Sequence, residues 1–194
     1  MSDLYPTTPS PAEGATIEDA YLTAVGGEFP NGRILTRAER VFPLATVNLR
    51  YSRDVWSTFS AIYAFFVSQR GRYGTFDYRD FDSYPWPDLY VGVGTNPVSA
   101  SNDLPYYGAS GHVIKVAGTT RTLTTHYTIS AGAGANGRDR VVWVVASEPT
   151  SGQIITCAAT GYRMFQGSFV TDVMSFARFC ATLAETGLGI RERR

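Results

Sequence analysis

The sequence predicts a mainly β fold with α: a β-sandwich/barrel-like module with one packed helix, a second β-rich module, and a C-terminal helix. Three observations lead to this class. Gly, Thr, Ser, Val and Tyr are abundant, as is usual in all-β chains. Segments of strand length alternate with turn signals over much of the second half of the chain. Apolar residues at helical spacing occur in two stretches, one before the middle and one near the C-terminus.

Composition narrows the classes of partner. The chain has 194 residues and a formal net charge of zero, which argues against recognition of nucleic acid or an anionic membrane by charge alone. The longest apolar run, residues 61–67, is far shorter than the ~20 residues that a membrane-spanning helix needs. The first residues lack the basic and apolar parts of a signal peptide. We therefore expect no membrane partner.

The two cysteines, Cys157 and Cys180, are expected to be small buried hydrophobic residues in a reducing compartment. Nothing in their surroundings requires that they form a disulfide, although their number would allow one.

Residues 1–32 are rich in Pro, Gly, Thr and Ser and predict an extended N-terminal arm. Composition alone is equally consistent with a mobile terminus. Tyr5, Tyr21 and Phe29 favour an arm that is ordered against a partner or another subunit, because such side chains are unfavourable in water.

Residues 33–90 are predicted to form the first β-plus-helix part of the domain. Within it, Val47, Leu49 and Tyr51 alternate with polar residues, which is the pattern of a half-buried strand. A second short alternating segment around Phe76 and Tyr78 predicts an aromatic strand.

Between these two strands the sequence predicts an amphipathic helix. Phe59, Ile62, Tyr63 and Phe66 fall at i, i+3, i+4 and i+7, and so should share one buried face. Asp54 or Ser57 is expected to cap the N-terminus of the helix, and Gly71 to take the left-handed conformation just after its end.

Residues 91–111 contain many Pro, Gly, Ser and Asn residues and predict a linking loop. Residues 112–171 then predict a β-strand module, because several segments of strand length are separated by turn signals. The strand segments are His112–Val116, Arg121–Ile129, Arg140–Ala146, Gln153–Thr160 and Tyr162–Val170.

Residues 172–194 are predicted to form a C-terminal helix and tail. Val173, Phe176 and Phe179 recur at a spacing of three, and Cys180, Leu183 and Ala184 extend the same helical face. Asp172 is expected to cap the start of this helix and Gly187 its end.

One cluster of acidic residues raises the possibility of an enzyme. Asp77, Asp80, Asp82 and Asp88 are interleaved with aromatic residues, and paired carboxylates beside aromatic rings are what a glycosidase uses. The competing interpretation, which we prefer, is that Asp77 and Asp80 pair with Arg70, Arg72 or Arg79 and cap turns.

Other kinds of active site are not indicated. His112 and His126 are fourteen residues apart with no cysteine nearby, and are expected at the surface of strands rather than at a metal. The loop at residues 131–137 lacks the lysine of a phosphate-binding loop, and no Gly-x-Ser-x-Gly segment is present. The sequence therefore predicts no enzyme and no catalytic, cofactor-binding or metal-binding residue.

The segment from Phe65 to Phe76, followed by residues 80–84, resembles the signature of a family of distal tail proteins of tailed bacteriophages and gene transfer agents. The shared pattern is a helix that ends in two aromatic residues, an Arg-Gly-Arg turn, an aromatic strand and an Asp-x-Tyr bend. Residues 112–171 resemble the later β half of the same family, less specifically. Members tend to end in a strand, whereas the spacing near this C-terminus predicts a helix.

The resemblance implies a structural virion protein, a β-rich ring subunit that is typically hexameric. Its implied partners are further copies of itself, the tail tube protein and the tail hub or baseplate protein. DNA would pass through the channel without specific binding, and the tail would be assembled in the host cytoplasm. Alternatives are another tail structural subunit, such as a tube or terminator protein, and a carbohydrate-binding or carbohydrate-hydrolysing tail module built on the acidic aromatic cluster.

Overall fold

The computed structural model describes residues 3–8, 10–11, 16–21, 23–28, 34–38, 42–178 and 183–193. Strands account for 55% of the chain and helices for 11%, so the predicted mainly β class with a little helix is confirmed. The strands in chain order are β1 (Asp3–Leu4), β2 (Thr16–Ala20), β3 (Thr23–Glu28), β4 (Ile34–Ala38), β5 (Leu44–Val55), β6 (Phe76–Val93), β7 (Ser101–Asp103), β8 (Tyr106–Val116), β9 (Thr119–Thr120), β10 (Tyr127–Ser130), β11 (Arg140–Trp143), β12 (Ile154–Phe169), β13 (Phe176–Arg178) and β14 (Leu183–Glu192). The helix α1 spans Trp56–Ser68, and short 3-10 turns occupy Gly71–Tyr73 and Ala135–Gly137.

The chain forms two compact units, which differ from the predicted division. The first unit comprises Met1–Thr7 and Phe76–Phe165, and the second comprises Thr8–Thr75 and Gln166–Arg194. Residues 91–111 do not form the predicted linking loop, because they contain the end of β6, all of β7 and the start of β8. The composition of this segment is largely polar, but it contains two fully buried side chains, Leu104 and Tyr106.

The first unit is built on two sets of paired strands. In one, β6 lies between β1 and β12, and β12 also pairs with β8 in antiparallel register, with Cys157 opposite Ile114. In the other, β11 lies between β10 and β7. The core is formed by buried residues from β8, β10, β11 and β12 and the loop before β8: Leu104, Tyr106, Ile114, Val116, Tyr127, Val141, Trp143, Ile155, Cys157 and Ala159. The predicted burial of Cys157 is confirmed. The strands predicted within residues 112–171 agree with the structure in part: β10 begins only at Tyr127, β11 ends at Trp143, and the two segments predicted after residue 152 form the one strand β12.

Part of the N-terminal arm docks on its own chain. Asp3–Leu4 pairs in parallel with the start of β6, and the ring of Tyr5 is buried 5.9 Å from that of Phe76 and 5.8 Å from that of Tyr78. Further along, β2 pairs with β5. Strand pairing within the chain therefore satisfies backbone groups of both segments. Phe29 lies outside the described residues.

The second unit is held together by an aromatic core beneath α1. Val47, Leu49 and Tyr51 of β5 are buried as predicted. On the helix, Phe59 lies 6.3 Å from Tyr51 and Phe66 lies 4.9 Å from Phe169, measured between ring centroids. Tyr63 does not share this burial: it is 46% exposed, and its ring lies 6.0 Å from that of Phe176, measured between centroids. The side chains of Asp54 and Ser57, the proposed caps, lie outside the described residues.

The helix ends as the sequence predicts, in a left-handed turn. Gly71 has φ +60 and its neighbour Arg70 has φ 53, and the amide of Gly74 closes the turn by donating to the carbonyl of Gln69 at 2.8 Å. A Cβ on Gly71 would lie 2.9 Å from Asp172 Oδ1, and one on Gly74 would lie 2.5 Å from Gln69 O. Glycine is therefore required at both positions by space, and at Gly71 also by backbone conformation.

The predicted C-terminal helix is wrong. The strands β13 and β14 lie among the described residues after Ser175, and β14 pairs with β5, with Leu188 opposite Leu49 and Ile190 opposite Val47. The helical spacing of Val173 and Phe176 is incidental, because Leu188 and Ile190 are buried at a period of two. Gly187 lies inside β14 rather than at a helix end. Phe179 and Cys180 lie outside the described residues.

Substitution of Phe66 by Asp should unfold the second unit. The Phe66 side chain is 7% exposed, so the new carboxylate would be buried without a partner and the ring contact with Phe169 would be lost. We expect the free energy of unfolding to fall by roughly 3–5 kcal/mol, measured by urea denaturation. Val67→Asp is the matched control, because Val67 is 54% exposed on the same helix; equal destabilisation by both variants would refute the placement of the helix faces.

Candidate functional site

Strand β6 carries all four acidic residues of the candidate cluster, but they are engaged in different ways. Asp77 is 3% exposed, and its Oδ1 lies 2.5 Å from Arg138 Nη2. Its Oδ2 also accepts a hydrogen bond from the side-chain amide of Asn136. The predicted pairing of Asp77 with Arg70, Arg72 or Arg79 is wrong, since its partner comes from a loop some sixty residues further along the chain.

Asp80 is a buried carboxyl group that is only half satisfied. Asp80 is 7% exposed, and its Oδ1 accepts a hydrogen bond from the amide of Phe81 at 2.8 Å. Oδ2 is buried and has no hydrogen-bond partner among the described residues. Burial raises the pKa of Asp80, the charge of Asp82 adds to this rise, and Arg163 opposes it. The predicted pairing of Asp80 with Arg70, Arg72 or Arg79 is not seen.

Asp82 is exposed and stands beside two aromatic side chains. Its Oδ2 is 3.4 Å from the hydroxyl of Tyr84, and the negative charge of Asp82 raises the pKa of that tyrosine. The ring of Tyr84 is 48% exposed and meets the ring of Trp86 edge to face at 5.9 Å. Trp86 is fixed in place, because its Nε1 donates to Gly161 O at 3.1 Å and the guanidinium of Arg163 lies 5.3 Å from its ring centroid.

Asp88 forms a surface ion pair with the single lysine of the chain. Lys115 Nζ lies 2.5 Å from Asp88 Oδ2, and about a third of each side chain is exposed. Pairs of this kind contribute little to stability, on the order of 0–1 kcal/mol.

Ion pairing and burial occupy three of the four carboxylates of the cluster. A glycosidase needs two carboxyl groups that reach the same glycosidic bond from opposite sides. Here Asp77 and Asp88 are held in ion pairs, and the free oxygen of Asp80 is buried. Of the four, Asp82 presents an exposed carboxylate for which the described residues provide no ion pair. The arrangement can hold β6 in place and can present Asp82 with Tyr84 to a partner.

A second polar network, which sequence reasoning missed, fixes the loop at residues 131–140. Asp103 accepts hydrogen bonds from the amide of Ala135 at 2.9 Å and from Arg140 Nε at 2.6 Å. Asp139 is fully buried and accepts from the amides of Gly132 at 3.0 Å and Ala109 at 2.8 Å. Together with Asp77, these aspartates tie a Gly- and Ala-rich segment to the strands around it. The signal in the sequence was the alternation of charges at residues 138–140.

The two histidines lie in different surroundings. The His112 side chain is 9% exposed, and its Nε2 is 3.4 Å from Asp139 Oδ2; the predicted surface position is therefore wrong for this residue. The ring of His112 also meets that of Tyr106 edge to face at 6.5 Å. His126 instead accepts a hydrogen bond at Nδ1 from the amide of Thr122 at 3.0 Å, which closes a turn.

The described part of the chain contains no group of three or more His, Cys, Asp or Glu residues placed to hold a metal ion. Burial raises the pKa of the Cys157 thiol to about 12, so this cysteine is an inert core residue rather than a nucleophile. Within the described ranges, no helix combines the length and apolar character needed to cross a bilayer. In comparisons with known proteins, no family model and no curated protein matches the chain.

Removal of the Asp77 carboxylate should destabilise the first unit. Asp77→Ala would leave the guanidinium of Arg138, whose side chain is 16% exposed, without its buried counter-charge. We expect a loss of about 3–5 kcal/mol in the free energy of unfolding, measured by chemical denaturation. Asp88→Ala, which breaks the exposed pair with Lys115, should cost less than about 1 kcal/mol. Equal effects of the two variants would show that Asp77 is not a buried structural partner.

The raised pKa of Asp80 predicts a pH-dependent stability. The folded state binds more protons at this site than the unfolded state, so its stabilising contribution is complete below the unfolded pKa of about 3.9 and is lost as pH rises through the raised folded value. Asp80→Asn should remove this decline, and Asp82→Asn should weaken it, because the charge of Asp82 contributes to the rise. Thermal melts from acidic to neutral pH test both, and an unchanged slope in Asp80→Asn would contradict the prediction.

Proposed function

We propose that the chain is a structural virion protein of a phage-type tail. It acts as a distal tail ring subunit that joins the tail tube to the tail hub or baseplate. The observation that carries this proposal is the segment Phe65–Tyr84, which resembles the distal tail signature and forms a helix, a left-handed turn and an aromatic strand. Around it, Tyr63, Val67 and Tyr73 are 46%, 54% and 79% exposed. Side chains of this kind are expected where neighbouring subunits cover them.

The use of charged groups also supports a structural role. The buried or half-buried aspartates of the first unit bind arginines and backbone amides that fix strands and a loop, as Asp77, Asp103 and Asp139 illustrate. Such contacts define a rigid shape. Rigid, repeated subunits are what a closed ring needs, because each copy must present the same geometry to the next.

The C-terminal strand adds further support. The family tends to end in a strand, and β14 runs to Glu192, where its carboxylate accepts a hydrogen bond from the amide of Ala45 at 2.9 Å. The spacing of apolar residues had suggested a departure from the family at this point, and β14 removes that difference. A formal net charge of zero is compatible with a channel through which DNA passes without specific binding.

The proposal is tested by locating the protein in assembled particles. Antibodies raised against the recombinant chain would be used to label particles from the producing cells for electron microscopy. We expect label at the distal end of the tail tube, and light scattering of the purified protein should give a multiple of 21.2 kDa that fits a ring, six copies by the resemblance. Label along the tube or at its head-proximal end would instead indicate a tube or terminator subunit. Absence of label from the particles would overturn the proposal.

A further inference from the structure

Two exposed surfaces of the chain each combine aromatic and charged side chains. The charge is positive on one surface and negative on the other. The first, which we call the basic ridge, consists of Tyr63, Val67, Arg70 and Tyr73. The second, the acidic ridge, consists of Asp82 and Tyr84. The basic ridge belongs to the second unit and the acidic ridge to the first. Both remain accessible to solvent.

The basic ridge is continuous along the helix and the turn that follows it. Tyr63 and Val67 are one helical turn apart, the amide of Arg70 donates to Val67 O at 3.0 Å, and the amide of Tyr73 donates to Arg70 O at 3.3 Å. Arg70 is exposed and, in the part of the chain that the structure describes, forms no ion pair. The adjacent guanidinium of Arg72 is neutralised by Asp172 at 2.6 Å. The ridge itself therefore carries the positive charge of Arg70 together with exposed apolar side chains. A second guanidinium lies at the same turn, because Arg193 Nη2 donates to Arg72 O at 3.2 Å.

Arg70 holds an unusual backbone conformation. Its φ of 53 lies in the left-handed region, which a residue with a Cβ adopts at a cost. Glycine would adopt this conformation without that cost. In this chain guanidinium groups already lie over aromatic rings, as with Arg79, 4.7 Å from the ring centroid of Tyr107.

The acidic ridge provides a carboxylate and an aromatic ring, the two kinds of group that a guanidinium binds. Asp82 is exposed, has no ion pair with the described residues, and has Tyr84 two residues away on the same strand. A carboxylate can accept two parallel hydrogen bonds from a guanidinium, and an adjacent ring can stack on it. The Trp86 contacts behind Tyr84 hold this part of β6 in place.

We propose that the basic ridge of one copy docks on the acidic ridge of a second copy, with Arg70 bound to Asp82. This inference rests on the proposed ring function. A ring needs a head-to-tail interface between two different, complementary surfaces of the same chain. The opposite charges and the aromatic residues on both ridges meet this requirement, and arginine and aromatic residues are enriched at such interfaces. A second copy is therefore the occupant that fits both ridges at once.

The test is a charge exchange between copies. Arg70→Asp and Asp82→Arg should each weaken self-association by about tenfold or more, because like charges then meet at every contact. When the two variants are mixed in equal amounts, each contact again joins opposite charges in an alternating ring, and assembly should return. Native mass spectrometry with one variant isotopically labelled would show equal numbers of each. Rescue by mixing requires that the contact lie between chains, since a contact within one chain stays repulsive in both variants.

Controls separate folding from assembly. Aspartate tolerates the left-handed conformation better than most residues, so Arg70→Asp should melt like the parent protein. Arg50→Asp, which reverses an exposed charge on β5, should leave assembly unchanged. Normal assembly of both single variants, or no recovery on mixing, would overturn the inference while leaving the ring itself intact. A parent protein that stays monomeric at every concentration reached would overturn the contact between copies, whereas the proposed tail position would still be decided by the labelled particles.

Discussion

The first residues of β6 are buried on both faces of the strand. Much of the first unit depends on the need to cover both faces. One face carries Phe76 and Tyr78, which pack on Tyr5 from the N-terminus. The other face carries the carboxylate of Asp77, which cannot be buried without a counter-charge. Arg138 and Asn136 supply the partners. A single strand thus fixes both the N-terminal segment and a distant loop.

The same constraint applies to other aspartates of the first unit. Asp77 and its neighbours in the network, Asp103 and Asp139, are bound to arginine or to backbone amides. The charges that remain exposed and outside ion pairs, such as Arg70 and Asp82, are placed beside aromatic rings at the surface.

In the second unit, helix α1 has a buried face and an exposed face. Helix α1 buries Phe59, Ile62 and Phe66 against its strands, yet leaves Tyr63 and Val67 largely exposed. Its end is set by Gly71 and Gly74, which allow the chain to turn tightly against Gln69 and Asp172. The turn places Arg70 and Tyr73 beside the exposed side of the helix. Exposed aromatic and apolar side chains are therefore concentrated on the helix and the turn that follows it.

The sequence by itself determined the local elements that have a clear period or a steric requirement. The alternation in β5, the buried positions Phe59, Ile62 and Phe66, the left-handed Gly71 and several of the strands between residues 112 and 171 followed from spacing and glycine. These features depend on neighbours within a few residues, so the pattern is sufficient. The acidic cluster was also visible as a cluster of residue types.

Tertiary structure alone decided which charged side chains pair and which strands lie side by side. Arg138 reaches Asp77 and Arg140 reaches Asp103 because strand pairing brings distant segments together, and no local spacing encodes that choice. The C-terminal segment had apolar residues at helical spacing, yet it became β14 because β5 and the end of β12 offer unpaired edges that its backbone groups satisfy. The same physics ordered residues 3–5 on β6, where composition had suggested an arm without a partner in its own chain. Long-range hydrogen bonding and burial override local propensity wherever the local pattern is weak.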